Sequence, residues 1–490
     1  MSLDWFQKWA LYSPEKIAIT EWNTKRALSY RELNRQAIQW SQYLLERGFQ
    51  KGDRLGVLSE FRLEYFILLG VAQKTGIILV PLNYRLSARE LQYMTQDSGC
   101  KLLLMESQFN PDPKCPVPID NLEEFAEQAS KSEVNELSCP KPEGQDPLFV
   151  LYTSGTTGFP KGALYTHEMA IWNSLNTALR LEVNANDRCL QIMPPFHTGG
   201  WNVLSTPLLH FGASLILMPK FEPEECLRAL AEESISLFMA VPTMVRMLSK
   251  APNFEAADLA ALRYFIVGGE ALAIPLIEKW AAKGVPIRQG YGLTEVGPNV
   301  TSLNAEDAIR KRGSIGFVNF YYDWKLITEA GTEANTGEKG ELWLKSPCVS
   351  PGYWNNPDAT ASSREGDWFK TGDVLIQDEE GYLYLVDRLK NMYISGGENI
   401  YPSEIEHYLS LHPNISENVV VGVPDSKWGE VGCAFISSNA DLKEADLRAY
   451  CEKGMARFKI PKHFVFLAEL PKNTAGKIDR HALHTAFQKD

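Results

Sequence analysis

The segment 152–162, YTSGTTGFPKG, concentrates glycine, hydroxyl and lysine side chains within eleven residues. Glycine lets the backbone turn its N–H groups toward an anion at close range, hydroxyls add donors, and lysine adds charge. These residue types at this spacing predict a phosphate-binding loop. It differs from a Walker A loop because two residues separate Gly158 from Lys161 and because Gly162, rather than Ser or Thr, follows the lysine. The residues assigned to this loop are Thr153, Ser154, Gly155, Thr156, Thr157, Gly158 and Lys161.

Three further segments combine glycine with polar side chains. They are 196–201 (FHTGGW), 268–271 (GGEA) and 291–295 (YGLTE). The first two follow runs of mainly apolar residues that are typical of buried strands, and the segment 286–290 leads into the third. In open α/β sheets, ligands bind at the carboxyl ends of strands. We therefore expect these segments and the phosphate-binding loop to gather at such ends, and their recurrence is stronger support than any one of them.

Alternating strands and helices must position these segments. The apolar run 147–151 predicts a strand that empties into the phosphate-binding loop, and Ser29 predicts the N-cap of a helix that runs to about Gly48. Such alternation is typical of an α/β domain with a largely parallel sheet. Further strands are predicted at 53–58, 76–81, 189–195, 212–218, 235–240 and 264–267, and further helices at 64–75 and 168–181.

The pattern changes along the second half of the chain. Short strands after residue 313 predict a small β-rich subdomain, and a module of about 100 residues follows Lys390. The predicted fold is therefore α/β, with a large N-terminal domain at 1–389 and a small α+β C-terminal domain at 390–490. The proline-rich segment 107–146 is predicted to be a surface excursion with one short helix near 122–129. The module's predicted helices are 402–411 and 443–453, and its predicted strands are 418–423 and 462–466.

Composition limits the class of protein. The net charge of −12 argues against non-specific nucleic-acid binding, so no nucleic-acid partner is expected. The eight cysteines occur singly, without a CxxC pair, which favours free thiols in a reducing compartment. The first residues lack the pattern of a secretory signal, and no apolar run approaches the roughly 20 residues of a membrane span. We therefore expect a cytoplasmic enzyme without a membrane span.

Five motifs in order extend over nearly the whole chain. They are YTSGTTGFPKG at 152–162, YGLTE at 291–295, TGD at 371–373, DRLKNMYISGGENIYPSEIE at 387–406 and NTAGKIDR at 473–480. With these motifs the chain resembles the adenylate-forming, or AMP-binding, superfamily of acyl-CoA synthetases, adenylation domains and luciferases. The resemblance implies a large N-terminal domain, a mobile C-terminal lid domain and a two-step reaction. ATP and Mg²⁺ serve the first step, and coenzyme A is the co-substrate of the second.

The resemblance also implies roles for individual residues of the nucleotide site. Lys477 would neutralise charge on the α-phosphate, Glu295 would bind Mg²⁺, and Thr294 would hydrogen-bond a phosphate. Asp373 and Arg388 would contact the ribose hydroxyls. The residues implied around the adenine are Tyr291, Gly292, Gly269, Glu270 and Ala271.

Other implied roles concern the hinge, the acceptor channel and the acid. Lys390 matches the hinge position, and Gly396 and Gly397 would leave room for the pantetheine of coenzyme A, although a plain hairpin turn would also explain the glycines. His197, Gly199 and Trp201 would lie near the acyl pocket, with a packed aromatic core as the alternative for His197 and Trp201. A basic patch for the 3′-phosphate of coenzyme A could be formed by Arg457, Lys459 and Lys462, with plain solvated side chains as the alternative.

The resemblance implies an ATP-dependent acid–CoA ligase. Its partners would be a small carboxylic acid, ATP and coenzyme A, and a homodimer is left open. The uncharged residues at 241–243 and 296–298 favour an apolar fatty or aryl acid over a dianionic acid. The alternatives are an enzyme that loads a carrier protein, an o-succinylbenzoate–CoA ligase and, from another class, a nucleotide-binding protein without turnover.

Overall fold

The computed structural model describes residues 3–109, 115–153, 160–268, 272, 274–395, 398–473 and 476–487. The chain divides into two compact units. The N-terminal unit comprises Met1–Trp324 and Leu344–Phe369, and the C-terminal unit comprises Lys325–Trp343 and Lys370–Asp490. Residues 325–343 and 370–389 cluster with the C-terminal residues, and the domain boundary at 389/390 stays a prediction. A hinge at Lys390 stays a prediction.

The largest sheet of the N-terminal unit is mostly parallel. Its six central strands pair in parallel, and antiparallel strands complete both edges. In the described residues, the strand order is Phe317–Val318, Gly297–Ser302, Ile287–Leu293, Tyr264–Val267, Leu237–Ala240, Arg188–Gln191, Ser214–Leu217, Ile17–Glu21 and Ala27–Ser29.

A second sheet in this unit carries the strand that leads into the phosphate-binding loop. That strand is Pro147–Thr153, and it pairs in parallel with Ile78–Pro81 on one side and antiparallel with Lys161–Thr166 on the other. The strand predicted at 147–151 is therefore confirmed and is two residues longer. The strand order in the described residues is Ile119–Asn121, Cys100–Met105, Arg54–Leu58, Ile78–Pro81, Pro147–Thr153 and Lys161–Thr166.

Helices connect the strands of both sheets. The helix Tyr30–Glu46 begins as predicted at Ser29, which forms a reciprocal capping box with Glu32. The short helix predicted at 122–129 is confirmed as Leu122–Ala129. The other described helices of the unit are Trp5–Tyr12, Leu63–Thr75, Ala88–Ser98, His167–Leu181, Thr198–Trp201, Ser205–His210, Pro223–Glu232, Pro242–Lys250, Ile274–Ala282 and Pro357–Ser362, with a 3₁₀ turn at Thr294–Val296.

The main hydrophobic core gathers side chains from both sheets. Leu55 and Leu79 come from the second sheet, and Leu215 and Leu237 come from the largest one. All four are fully buried, and each such leucine contributes about 1.5–3 kcal/mol relative to an exposed one. This core fixes the two sheets with respect to each other, and the strand ends that carry the predicted site residues with them.

The C-terminal unit has its own sheet and its own core. The antiparallel pair Ile415–Asp425 and Gly429–Ser438 forms its centre, and His463–Phe466 adds to it in parallel. Val420, Ala434 and Leu447 belong to the core on one side of that pair. The helices are Pro402–Ser410, Glu444–Glu452 and Arg480–Phe487, with 3₁₀ turns at Leu389–Asn391 and Arg457–Lys459; the small strands are Leu383–Arg388, Tyr393–Ser395 and Glu398–Ile400.

Three longer strands cross the chain positions at which the units are divided: Asp323–Ile327, Lys339–Lys345 and Trp368–Gln377. The short strand Arg364–Glu365 pairs with the beginning of the last of these. The mixed α/β class predicted for the chain is confirmed, as is a β-rich region between the large sheets and the C-terminal helices. All eight cysteines are free, and within the described ranges no helix is long and apolar enough to cross a membrane.

Candidate active site

The two arms of the phosphate-binding loop are held by one helix. Thr153 and Lys161 lie opposite each other in the antiparallel pair, and residues 154–158 of the predicted loop lie outside the described residues. The Tyr152 hydroxyl donates to Asp97 at 2.7 Å, and the Tyr93 hydroxyl donates to the Pro160 carbonyl at 3.4 Å. Because Tyr93 and Asp97 both belong to the helix Ala88–Ser98, that helix fixes both sides of the loop.

Glu295 lies beside the first residue of this loop. Its Oε1 accepts hydrogen bonds from the Tyr353 hydroxyl at 3.0 Å and from Thr153 Oγ1 at 3.3 Å. The Lys161 ammonium lies 5.5 Å from the centroid of the Tyr353 ring. Burial raises the pKa of Tyr353, and the Glu295 carboxylate raises it further, so the phenol stays protonated and can donate. The structure thus brings together three predicted residues and one that the sequence did not indicate.

The YGLTE segment turns sharply at the end of its strand. Tyr291 lies in the strand Ile287–Leu293 and is buried, while Thr294 and Glu295 form the 3₁₀ turn that follows. A Cβ at Gly292 would lie 2.3 Å from the carbonyl oxygen of Pro298, so only glycine fits the return of the chain there. The predicted adenine-lining residues 269–271 lie outside the described residues.

Glu295 fits the role of a magnesium ligand that the resemblance implies. Among the described residues no group of three or more His, Cys, Asp or Glu side chains could hold a metal. Mg²⁺ is usually held by one or two carboxylates together with substrate phosphates. No described residue donates to Oε2 of Glu295, which leaves this oxygen for a cation.

The predicted acyl-pocket residues occupy two different environments. His197 is half-buried against the Phe196 ring, with the ring centroids 4.7 Å apart, and a Cβ at Gly199 would meet the terminal methyl groups of Met239 and Met193. Trp201 is fully buried and donates to the Pro195 carbonyl at 2.6 Å. Its ring packs in the main core against Phe61, Tyr65, Phe66 and Phe149. Trp201 thus has the position of a core aromatic, the alternative that the sequence left open.

A cation approaches the acyl element from elsewhere in the chain. The Arg85 guanidinium lies 5.7 Å from the Tyr84 ring centroid and 5.9 Å from that of Phe196. The Tyr84 ring in turn packs edge-on against Phe196 and stacks on Phe109. Arg85 was not among the predicted residues, because nothing in the sequence places 85 next to 196.

The predicted ribose ligands form an ion pair in the C-terminal unit. Asp373 and Arg388 are directly opposite each other in adjacent antiparallel strands, and Arg388 Nε lies 2.9 Å from Asp373 Oδ1. The turn before Asp373 is held by hydrogen bonds from Thr371 Oγ1 to the Leu342 carbonyl and from Gly372 N to Glu341. The chain therefore fixes the Asp373 backbone, and the arginine keeps the carboxylate paired.

Lys477 projects from a tight turn in the same unit. Asn473 N donates to the Lys477 carbonyl at 2.7 Å, and Lys477 N donates to Asn473 Oδ1 at 3.1 Å. Gly476, at φ +79°, supplies the left-handed conformation that this turn requires. Desolvation lowers the pKa of Lys390, and the Arg388 guanidinium and the Lys477 ammonium act in the same direction.

The structure describes some of the residues predicted to bind coenzyme A and not others. Gly396 and Gly397 lie outside the described residues. Lys459 forms an ion pair with Glu404, and Lys462 forms one with Asp425, so carboxylates already neutralise both lysines. Arg457 is exposed at the start of a 3₁₀ turn.

Comparison with known proteins identifies the family. A family model described as "AMP-binding enzyme" matches residues 6–354, and one described as "AMP-binding enzyme C-terminal domain" matches residues 404–477. The chain belongs to the AMP-binding enzyme family. The resemblance stated from the five sequence motifs is thereby confirmed.

Relatives that align over nearly the whole chain indicate the branch of the family to which this AMP-binding enzyme belongs. It is 36% identical to a long-chain-fatty-acid–CoA ligase of Mycobacterium tuberculosis over 98% of this chain and 97% of that protein. It is 35% identical to a feruloyl-CoA synthase of Amycolatopsis sp over 99% and 98% of the two chains. The structure of Bacillus subtilis o-succinylbenzoate coenzyme A synthetase in complex with AMP superposes with a TM-score of 0.91 at 30% identity, over 98% of both chains. These relatives place it in the acyl-CoA synthetase branch.

Proposed function

We propose that this AMP-binding enzyme joins an apolar carboxylic acid to coenzyme A at the expense of ATP. An oxygen of the acid would attack the α-phosphorus and expel pyrophosphate, and the coenzyme A thiol would then attack the acyl carbon of the adenylate and release AMP. The observation that carries the proposal is the full-length likeness to acid–CoA ligases at 35–36% identity. ATP, Mg²⁺ and coenzyme A are the substrates and cation of that reaction.

Both units contain residues with predicted roles in the adenylation step. In the N-terminal unit, Glu295 would hold Mg²⁺ and Lys161 would bind phosphate, since a bound divalent cation and a lysine together offset the charge of a triphosphate. In the C-terminal unit, Asp373 would accept hydrogen bonds from the ribose, and Lys477 would neutralise charge that builds up on the α-phosphate. Lys477 is exposed on its turn, so its side chain is accessible to a substrate.

The surroundings of His197 support an apolar acid. The methyl groups of Met193 and Met239 lie next to Gly199, and thioether side chains adapt to apolar ligands of varied shape. Two of the relatives are named as a long-chain-fatty-acid–CoA ligase and a feruloyl-CoA synthase. The eight free cysteines favour a reducing compartment such as the cytoplasm for this enzyme.

A second candidate substrate class is an acid with a distal carboxylate. Arg85 favours it, because its guanidinium lies over the Phe196 ring, next to His197, and could pair with such a carboxylate. The relatives include 2-succinylbenzoate–CoA ligases, whose named substrate has this chemistry. The two classes differ in their dependence on Arg85, since only the dianionic acid would lose an ion pair in Arg85→Ala.

The test is pyrophosphate release with ATP and Mg²⁺ across a panel of fatty, aryl and dicarboxylic acids, each with and without coenzyme A, for the wild type and Arg85→Ala. We expect release with apolar monoacids, a CoA thioester when coenzyme A is present, and rates for Arg85→Ala within about twofold of wild type. If the rate of pyrophosphate release in Arg85→Ala fell by about tenfold or more with diacids only, the substrate would instead be an acid with a distal carboxylate. The loss of one charge-assisted hydrogen bond has about that effect.

Two other outcomes would overturn the reaction itself. Pyrophosphate release without any CoA thioester would indicate transfer to a carrier protein. Nucleotide binding without pyrophosphate release from any acid would indicate a nucleotide-binding protein without turnover.

A further inference from the structure

Tyr353 lies in a segment that extends the second sheet of the N-terminal unit. Gly352 accepts from Leu164 N at 3.0 Å, and Trp354 N donates to the Gly162 carbonyl at 2.7 Å. Tyr353 itself forms an isolated antiparallel bridge with Ala163. The residue is therefore held along the strand Lys161–Thr166, directly after the phosphate-binding loop.

Side chains on both sides of Tyr353 fix its position further. The Trp354 indole donates to the Asp97 carbonyl at 3.0 Å, and Tyr353 N donates to Thr360 Oγ1 at 2.9 Å. Asp97 is also the residue that accepts from Tyr152. The phenol of Tyr353 is thus aimed from a rigid frame that it shares with the phosphate-binding loop.

The phenol and Thr153 both use the same oxygen of Glu295. Tyr353 donates at 3.0 Å and Thr153 at 3.3 Å, and both reach Oε1. Two donors on one oxygen restrain the rotation of the carboxylate, and no hydrogen bond from a described residue reaches the other oxygen. Groups that orient a metal ligand in this way are commonly needed for full metal affinity.

We propose that Tyr353 is a positioning residue that orients Glu295 so that Oε2 alone binds the divalent cation of the nucleotide. The inference rests on the proposed function, because it assigns the cation to Glu295. Tyr353 would not contact the cation or the substrate itself. Removal of the Tyr353 hydroxyl should therefore weaken the binding of the cation to the nucleotide complex. It should leave the binding of metal-free nucleotide unchanged.

The experiment measures Mn²⁺, as a spectroscopic substitute for Mg²⁺, bound to the full-length enzyme with ATP and without any acid. Electron paramagnetic resonance gives the Mn²⁺ dissociation constant, and calorimetry gives the ATP dissociation constant in EDTA. The variants are Tyr353→Phe, Glu295→Gln and Tyr322→Phe. Tyr322 is the matched control, because its buried phenol donates at 2.7 Å to the Val296 carbonyl, next to Glu295 but not to its carboxylate.

We expect the Mn²⁺ dissociation constant of Tyr353→Phe to rise by about tenfold, in the range known for groups that orient a ligand. Its metal-free ATP affinity should stay within about twofold of wild type, and Tyr322→Phe should leave both constants within about twofold. A Tyr353→Phe value within twofold of wild type, alongside weakened binding in Glu295→Gln, would overturn the positioning role alone. Unchanged Mn²⁺ binding in Glu295→Gln would overturn the metal role of Glu295 and the inference with it.

Discussion

Asp373 and Arg388 face each other across two antiparallel strands, and Arg388 Nε lies 2.9 Å from Asp373 Oδ1. The two side chains differ in exposure, since 1% of the Asp373 side chain and 45% of the Arg388 side chain is accessible. Asp373 is therefore an almost fully desolvated carboxylate that is paired with a partly solvated guanidinium. An uncompensated buried charge is costly, so the arginine has a structural task as well as its predicted contact with the ribose.

Arg388→Gln should therefore affect both stability and nucleotide binding. We expect the free energy of unfolding to fall by about 1–3 kcal/mol, below the range for a fully buried pair because Arg388 is half exposed, and the ATP dissociation constant to rise by about tenfold. Urea denaturation and calorimetry measure the two effects. Arg448→Gln is the control, because Arg448 pairs with the exposed Glu444 in the same unit and has no predicted role at the nucleotide. Equal ATP affinities in the two variants would exclude Arg388 from the ribose site.

A comparison of Lys477 with the nearby Lys472 tests whether Lys477 neutralises charge on the α-phosphate. We expect Lys477→Ala to slow pyrophosphate release by about 10²–10³-fold, since the loss of one group that stabilises transition-state charge has that effect. Lys472 lies on the same turn but is paired with Glu417 at 2.8 Å, so Lys472→Ala should stay within about twofold of wild type. Single-turnover release of pyrophosphate measures the first step, and thioester formation from a supplied acyl-adenylate measures the second. A Lys477→Ala enzyme that adenylates at the wild-type rate would contradict the predicted role.

Short-range sequence patterns predict the helices and strands well. They do not predict contacts between residues that lie far apart in the sequence. Ser29 forms the N-cap that the sequence predicts, and Glu32 completes a capping box there. The helix Leu122–Ala129 lies where the sequence predicts a short helix within the proline-rich segment. The Tyr353–Glu295 hydrogen bond spans 58 positions and joins a Pro/Gly/Asn-rich loop to a turn. Such loops have no hydrophobic period, so nothing in the residues around Tyr353 indicated its partner.

The chemical type of a residue also does not predict whether its side chain is buried or paired with a charge. Trp201 follows a Gly-Gly pair in a predicted acyl element, yet its ring is in the main core. Lys459 and Lys462 could be read as a basic patch, but carboxylates that come from 404 and 425 neutralise them. Burial and ion pairing depend on which segments the fold brings together, and the motifs around these residues carry no such information.

Trp201 should therefore behave as a packing residue. We expect Trp201→Ala to lower the free energy of unfolding by about 3–5 kcal/mol, because it empties a large volume in the core and leaves the Pro195 carbonyl without its donor. Trp172→Phe, at a half-buried position on the helix His167–Leu181, should cost less than about 1 kcal/mol. Urea denaturation measures both. If instead Trp201→Phe kept its stability while its preferred fatty acid became longer by two or more carbons, Trp201 would be a gate of the acyl pocket.

His167 should make the enzyme less stable in mild acid. It is 2% exposed at the start of the helix His167–Leu181, and burial lowers its pKa to about 4, against about 6.5 in an unfolded chain. Between these values the unfolded state binds more protons, so stability is lost as the pH falls from about 6.5 toward 4. Between pH 7 and pH 5, we expect the free energy of unfolding of His167→Gln to fall by about 2 kcal/mol less than that of the wild type. Urea denaturation at both pH values measures this difference. His481→Gln, at an exposed position on the last helix, is the control. An identical loss in His167→Gln and wild type would show that this histidine does not set the acid sensitivity.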